Sequence, residues 1–377
     1  MAILPPSWIG ILGGGQLGRM FTSAAREMGY EVMVLDPDPH SPAGSLASEH
    51  LCVDYRDASA LDRMAAQCAV ITTEFENIPA EALDRLAKSR PVRPSADAMA
   101  VAQNRIREKR FIRELGLPTS PFISLQQDSD LQRLDQVVYP AILKTATLGY
   151  DGKGQIVCAD AGAACRGYAE LGVPCVLEQK IDLALELSVV LGRDTRGRSR
   201  CFPLAENRHA GGILDVSLVP AAVDETLAAQ ARDAATRIAD GLDYIGVLAV
   251  EFFVSASGEL LVNEIAPRPH NSGHFTQDAC HCSQFELQLR MICGLPAGNL
   301  QLQTPVAMLN LLGDLWPEQG EPDWASVLEI EDACLHLYGK KQARPGRKMG
   351  HVNCLAESRA EAERRVERLK RMLQPRS

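Results

Sequence analysis

The chain has 377 residues, of which 46% are hydrophobic, 23% charged and 5% aromatic, a globular composition with room for two or three domains. Its net charge of −9 argues against a broad nucleic-acid surface, because phosphate-backbone contacts need an excess of Lys and Arg. An anionic small molecule would need a local basic cluster. No apolar run is long enough to span a bilayer, and the first residues lack a basic leader, with Pro5 and Pro6 interrupting their apolar run; a soluble, cytoplasmic protein is expected. The eleven cysteines are odd in number and scattered, and read as reduced thiols, mostly small core residues.

In chain order, "WIGILG" reads as a buried strand, "QLGRMFTSAAREMG" as an amphipathic helix closed by Gly29, and "YEVMVL" as a second strand. "HLCVD" and "AVITTEF" follow as strands, with helices "ASALDRMAAQC" and "PAEALDRLAKS" between and after them. This alternation predicts a parallel sheet wrapped by helices. "PVRPSADAMA" breaks the pattern with two prolines, and "AQNRIREKRFIREL" reads as a helix ended by Gly116 and Pro118. From about "VVYPAILK" to Gly298, strands joined by short Gly-rich turns predict a mixed or antiparallel region. The last part holds short strands, the basic stretch "GKKQARPGRKMGH", and a final helix with Val366, Leu369 and Leu373 on one face and Glu361/Arg365 and Glu367/Arg371 paired at i,i+4.

The first strand leads into Gly13, Gly15 and Gly18, a G-x-G-x-x-G, and the second ends in Asp36. That spacing fits a dinucleotide site with a ribose-binding acid. It equally fits any first turn of a parallel sheet that needs glycines for tight packing, with Asp36 opening the loop "PDPHSPAG". A second glycine loop, Gly149, Gly152 and Gly154, follows a strand ending in Lys144 and leads into another strand. Such a loop can fold its N–H groups over a polyphosphate, with Lys144 and Lys153 adding charge. It lacks G-K-[S/T] and is no Walker A loop; the alternative is a flexible hairpin.

The hairpin "GVLAVEFFVSASGELLVNEIAPR" carries two glutamates. A two-residue turn at Ser257-Gly258 sets Glu251 opposite Glu264, whereas a four-residue loop sets it opposite Val262 with Glu264 diagonal. Both registers put the two carboxylates on one face. Facing like charges destabilise a hairpin, and a divalent cation such as Mg2+ removes the conflict; the alternative is that one carboxylate simply points to solvent. Arg268, His270, Asn271 and His274 follow, and an arginine there could stabilise charge on a transferring phosphoryl or acyl phosphate. A zinc site from His270, His274, Cys280 and Cys282 is not expected, since Cys-x-Cys is tighter than the usual ligand gap.

The segments "GILGGGQLGRM", "TEFENIP", "QNRIREK", "GYDGKGQ", "FPLAENRH", "VEFFV…LLVNEIAPRPHNSGH", "SQFE" and "RPGRKMGH" together resemble the ATP-grasp superfamily. Within it, the chain is most similar to the 5-(carboxyamino)imidazole ribonucleotide synthases, over nearly its whole length. The resemblance implies an α/β and α+β protein: an N-terminal parallel-sheet, Rossmann-like pre-ATP-grasp domain over 1–103, an ATP-grasp domain over 104–300 with a lid subdomain at about 120–190, and a small C-terminal domain over 301–377. It implies a ligase that carboxylates 5-aminoimidazole ribonucleotide with bicarbonate and MgATP through carboxyphosphate in purine biosynthesis, and a homodimer. Carried over by motif, Arg105, Lys144, the loop Gly149, Tyr150, Asp151, Gly152, Lys153, Gly154 and Gln155, then Glu178, Gln179, Lys180, Ile181, Glu186, His209, Asn263 and Glu264 would hold ATP. Glu251 and Glu264 would bind Mg2+. Gln16, Glu74, Tyr150, Asp151, Lys340, Arg344, Arg347 and Lys348 would approach the ribonucleotide, with Lys340 and its neighbour Lys341 both able to reach its phosphate. Arg268, Lys144, His270 and Asn271 would serve the chemistry. A related ligase with another acyl acceptor, a dinucleotide oxidoreductase and a non-catalytic MgATP sensor are the competing expectations.

Overall fold

The computed structural model of the protein describes residues 2–149 and 154–373, and among these three sheets carry the fold. The N-terminal segment runs β1 (Trp8–Leu12), α1 (Gln16–Glu27), β2 (Glu31–Leu35), β3 (Glu49–Leu51), α2 (Ala58–Gln67), β4 (Val70–Thr73) and α3 (Ala80–Ala87). The four strands are parallel in the order β3-β2-β1-β4. β1 is apolar on both faces because both are covered. Ile9 and Ile11 pack toward α1, and Leu12 packs toward α2 and α3. Of the expected strands, "HLCVD" shrinks to the three residues of β3.

The helix expected from "AQNRIREKRFIREL" is α5 (Arg105–Glu114), and a separate short helix, α4 (Ala96–Ala102), precedes it. Ser95 caps α4 by accepting the Ala98 N–H, so the stretch read as a break already starts a helix. Asn104 divides the two because its side chain accepts the Ile106 and Arg107 N–H groups, restarting the helix at a fresh N-cap.

The second sheet contains β5 (Phe122–Leu125), β6 (Ala141–Thr145), β7 (Gln155–Cys158) and β8 (Cys175–Gln179) in the order β5-β8-β6-β7, all antiparallel and backed by α6 (Ala161–Leu171). The largest sheet follows: β9 (Leu183–Arg193), β10 (Ser199–Cys201), β11 (Ala205–Ala210), β12 (Ile213–Val219), then α7 (Glu225–Gly241), β13 (Gly246–Ser255) and β14 (Leu260–Ala266). After the short helix α8 (Thr276–Ala279) and α9 (Gln284–Ile292), the chain adds β15 (Val306–Leu312), α10 (Trp324–Leu328), β16 (Ala333–Leu337), β17 (Lys348–Leu355) and α11 (Arg359–Leu373). The order β14-β13-β9-β11-β12-β15-β17-β16 shows the C-terminal strands extending this same sheet through the β12–β15 pair.

Helix α7, rich in alanine, lies close on one face of the sheet over Leu187, Leu191 and Val250. Helix α9 serves two cores: Leu287 and Met291 face the large sheet, while Phe285, Leu289 and Ile292 enter the core under α1. This shared helix fixes the N-terminal sheet against the large one. In α11, Val366, Leu369 and Leu373 are buried as their spacing predicts, and Arg365 meets Glu361 at 3.3 Å.

Candidate active site

The β13–β14 hairpin has a third register. Ser255 pairs with Glu259 around a three-residue turn, where Gly258 takes φ +85°, and Phe252 faces Val262. A bulge then inserts Asn263, so that Glu251 faces Glu264. A regular strand sends adjacent side chains to opposite faces. The bulge breaks that rule, and Asn263, Glu264 and Glu251 all line one cavity of about 530 Å3. Glu108 of α5, a residue the sequence reading passed over, secures the bulge by accepting the Ile265 N–H at 2.6 Å; burial and the charge of Glu264 push its carboxyl up to about 8.

Glu251 shows the expected charge conflict. Burial first and the charge of Glu264 second push its carboxyl up to about 7. His270 Nε2 stands 3.4 Å from Glu251 Oε1. Burial and Arg268 hold this imidazole far below its usual pKa, so it is neutral. Its Nδ1 accepts from the Ser272 N–H and faces Ser272 Oγ at 2.9 Å, which puts the proton on Nε2, aimed at Glu251. Ser188, opposite Glu251 on β9, donates to Ser272 Oγ at 2.8 Å and completes this buried chain. Nearby, His209 Nδ1 lies 2.8 Å from Glu186 Oε2; burial opposes protonation of this histidine, but the carboxylate outweighs it and raises the pKa.

Among the described residues, no three His, Cys, Asp or Glu side chains form a metal cage by themselves. Two facing carboxylates whose repulsion Arg105, 3.8 Å from Glu264, offsets only in part do fit a hard divalent cation that takes its other ligands from phosphates and water. The sign of its pH dependence follows. Folded, metal-free protein keeps a proton on Glu251 up to about 7, whereas an ordinary glutamate loses it near 4.5. The folded state therefore holds the extra proton in that window, and this group's contribution to stability falls as pH rises through it. A cation competes with the proton, so Mg2+ affinity in the presence of ADP should climb from about pH 6 to about pH 8, by up to about tenfold per unit below 7. Calorimetric Mg2+ titrations check this; an affinity flat across that range contradicts it.

Basic groups line the same cavity as these acids. Arg105, at the start of α5, donates to the Thr145 and Gly149 carbonyls and lies 3.8 Å from Glu264. Lys144 in β6 contacts Glu178 of β8 at 3.2 Å. Gln155, Gln179, Lys180, Ile181, Glu186 and His209 line the same cavity, as do Arg268, His270 and Asn271. Arg268 donates to Glu76 Oε2 at 2.7 Å; against burial, the guanidinium holds the Glu76 carboxyl below its ordinary range.

Gln16 and Glu74 also line the cavity. Here the N-terminal glycines find their use. Gly14 N–H donates to Asp36 Oδ2 at 2.7 Å, and Gly15 N–H donates to Glu74 Oε2. The amides that a pyrophosphate needs at this turn are thus occupied by carboxylates, and Asp36, buried and also bonded to the Tyr55 hydroxyl, is no ribose ligand. A Cβ on Gly15 would fall on Glu74 Oε1, so glycine is needed for close approach. Burial pushes Glu74 up to about 7.

Arg344-Pro345-Gly346-Arg347 forms a turn closed by Arg347 N–H to the Arg344 carbonyl, with Gly346 at φ +72°. Lys348 lines the cavity, and Lys340 donates to the Lys348 carbonyl at 2.7 Å while its charge acts on Glu74. Lys341 turns outward to His40. Arg344 and Arg347 bond Gln342 at the exposed rim, outside the cavity lining. Gly149 lines a smaller adjoining pocket, Gly154 sits where β7 begins, and Tyr150, Asp151, Gly152 and Lys153 lie outside the described residues. His274 is buried under the site, stacked on His351 with its Nδ1 against Gln284.

This architecture and its cavity define an ATP-grasp protein: an ATP-grasp domain description matches residues 110–285, a ribonucleotide synthetase preATP-grasp domain 7–103, and a phosphoribosylaminoimidazole carboxylase C-terminal domain 306–365. The chain belongs to the N5-carboxyaminoimidazole ribonucleotide synthase family of ligases. It is 44% identical over 355 residues to the N5-carboxyaminoimidazole ribonucleotide synthase of Brucella melitensis biotype 1, covering 93% of this chain and 97% of that one. A solved N5-carboxyaminoimidazole ribonucleotide synthetase in complex with ADP superposes with a TM-score of 0.91 at 41% identity, over 98% of this chain and 97% of that chain. The N5-carboxyaminoimidazole synthase from Aspergillus clavatus, solved with ADP and 5-aminoimidazole ribonucleotide, does so with 0.88 at 29% identity, over 97% and 98%.

Proposed function

We propose that the protein carboxylates the amine of 5-aminoimidazole ribonucleotide, using bicarbonate and MgATP, and releases N5-carboxyaminoimidazole ribonucleotide, ADP and phosphate. The observation that carries this reading is one cavity whose lining brings the Glu251/Glu264 pair and Lys144 together with Gln16, Glu74 and Lys348. Nucleotide and ribonucleotide can therefore meet within it. The same reading divides the chain at 1–103, 104–300 and 301–377, and takes the enzyme as a cytoplasmic homodimer.

In this mechanism Glu251 and Glu264 would hold Mg2+, which when bound would neutralise charge on the ATP phosphates. Arg105 and Lys144 orient the polyphosphate, Glu178 through Ile181 hold the adenine end, and Glu186 and His209 the sugar side. Bicarbonate attacks the γ-phosphate, giving carboxyphosphate and ADP. Arg268, fixed by Glu76, faces the charge that develops on this group and Asn271 supplies amide contacts, while neutral His270 keeps its Nε2–H on Glu251. The substrate amine then attacks the carbonyl carbon and phosphate leaves. Glu74 and Gln16 approach the imidazole, and Lys340, Lys348, Arg344 and Arg347 the ribonucleotide phosphate, the two arginines by movement of their turn. Enclosure keeps water from the acyl phosphate.

The test is ADP release with ATP, Mg2+, bicarbonate and 5-aminoimidazole ribonucleotide, each omitted in turn, with the carboxylated product followed in parallel. Full turnover is expected only with all four. Undiminished, product-free ADP release without the ribonucleotide contradicts the assignment.

A further inference from the structure

Lys109 lies four residues into α5, 1% exposed, and belongs to neither the nucleotide nor the ribonucleotide contacts above. Its ammonium finds three acceptors: Thr119 Oγ1 at 3.0 Å, Glu178 Oε2 at 3.2 Å and the Asn263 carbonyl at 3.4 Å. These equal the three protons an ammonium carries. Lys144 contacts the same oxygen, Glu178 Oε2, also at 3.2 Å. Two cations therefore share one buried carboxylate, whose other oxygen, Oε1, has no protein partner. The two lysines differ in setting: Lys109 is sealed behind the wall, whereas Lys144 lines the cavity.

A buried carboxylate needs one positive partner; a second leaves net positive charge that repels the first. An anion entering the cavity can recruit the second at little cost, provided the first stays. We propose that Lys109 is a positioning residue that supplies the permanent counter-charge to Glu178 and so leaves Lys144 available to the nucleotide phosphates. The inference rests on the proposed role of Lys144 at those phosphates. Without Lys109, Glu178 has only Lys144 to neutralise it, and the cavity lysine is held back on the wall. Lys109 also ties the Asn263 bulge to β8, which places the cation pair and the adenine end in one rigid frame.

The experiment is calorimetric binding of ADP with Mg2+ to the full-length protein and its variants, with folding checked by thermal melts. Lys144→Met should weaken binding by about tenfold or more. Lys109→Met should weaken it comparably, and adding Lys144→Met on top should cost less than about threefold, since that lysine is already withheld. Lys109→Met/Glu178→Gln, which removes both buried charges and should fold even where Lys109→Met alone does not, should bind no more weakly than Glu178→Gln within about threefold. A Lys144→Met effect of equal size with and without Lys109, or a Lys109→Met loss that persists unchanged beside Glu178→Gln, overturns the inference and leaves the phosphate role of Lys144 standing. ADP binding unaffected by Lys144→Met overturns that role and the inference together.

Discussion

Glu264→Gln should lower ADP release by about a thousandfold or more while leaving the fold intact. The two halves of this expectation have separate causes. Glu264 faces Glu251 across the hairpin, yet half of its side-chain surface is exposed (51%), so exchanging it for an amide of the same size disturbs no packing. It also removes the like charge that, after burial, does most to push Glu251 up to about 7. The melting midpoint of the metal-free variant should therefore hold or rise slightly. Turnover should fall because an amide cannot replace the second of the two carboxylates proposed to hold the cation. A melt and the substrate-omission assay on one preparation check both halves; retained turnover contradicts the role of the pair.

Arg268→Met should cost about a hundred- to a thousandfold in kcat, with less than about threefold change in KM for ATP. The guanidinium has few ways to point: its Nε is bound to Glu76 at 2.7 Å and its Nη1 to the Pro269 carbonyl at 3.2 Å. It is thus preset before any substrate arrives, which suits the proposed role where charge develops rather than where ATP is gripped. Arg268→Lys keeps a charge but loses the planar fork and should fall between the two. Because Arg268→Met strands the Glu76 carboxylate, the pair Arg268→Met/Glu76→Gln is the control for stability. Steady-state kinetics separate the parameters; a large KM change with kcat preserved contradicts this placement of Arg268.

The hairpin glutamates were legible because period-two alternation needs only local sequence. Which of the two readable pairings of Glu251 holds, the one that sets it opposite Glu264 or the one that offsets them, was not. It depends on a bulge held by Glu108, which reaches the Ile265 N–H across 157 positions of chain, and no turn rule carries that information. The N-terminal glycines were legible as a tight turn but open as to partner, and the carboxylates of Asp36 and Glu74 that take their amides decide it in space. Lys109 had a readable signal: Ile106, Lys109 and Ile112 recur at three-residue spacing and all are buried. In a helix this rich in charge, however, a lysine reads as solvated unless its acceptors are known. Ser188 and Ser272, invisible as isolated serines, gain meaning only when β9 brings them together behind His270.

The shared large sheet was equally hidden. Sequence separates the C-terminal strands from the preceding region through the loop after α9, yet β12 pairs with β15, and Lys348 enters the cavity at the first residue of β17. Its basic stretch became legible as a turn through Pro345 and Gly346. Which lysine faces inward needed the Lys340 contact with the Lys348 carbonyl.

A crystal of the protein grown with ADP and Mn2+, with the ion located by its anomalous signal, tests the cation pair most directly. A peak within coordination distance of carboxylate oxygens from both Glu251 and Glu264 and of the nucleotide phosphates is predicted. Ordered ADP with no ion between those two side chains, or with the ion bound elsewhere, contradicts it.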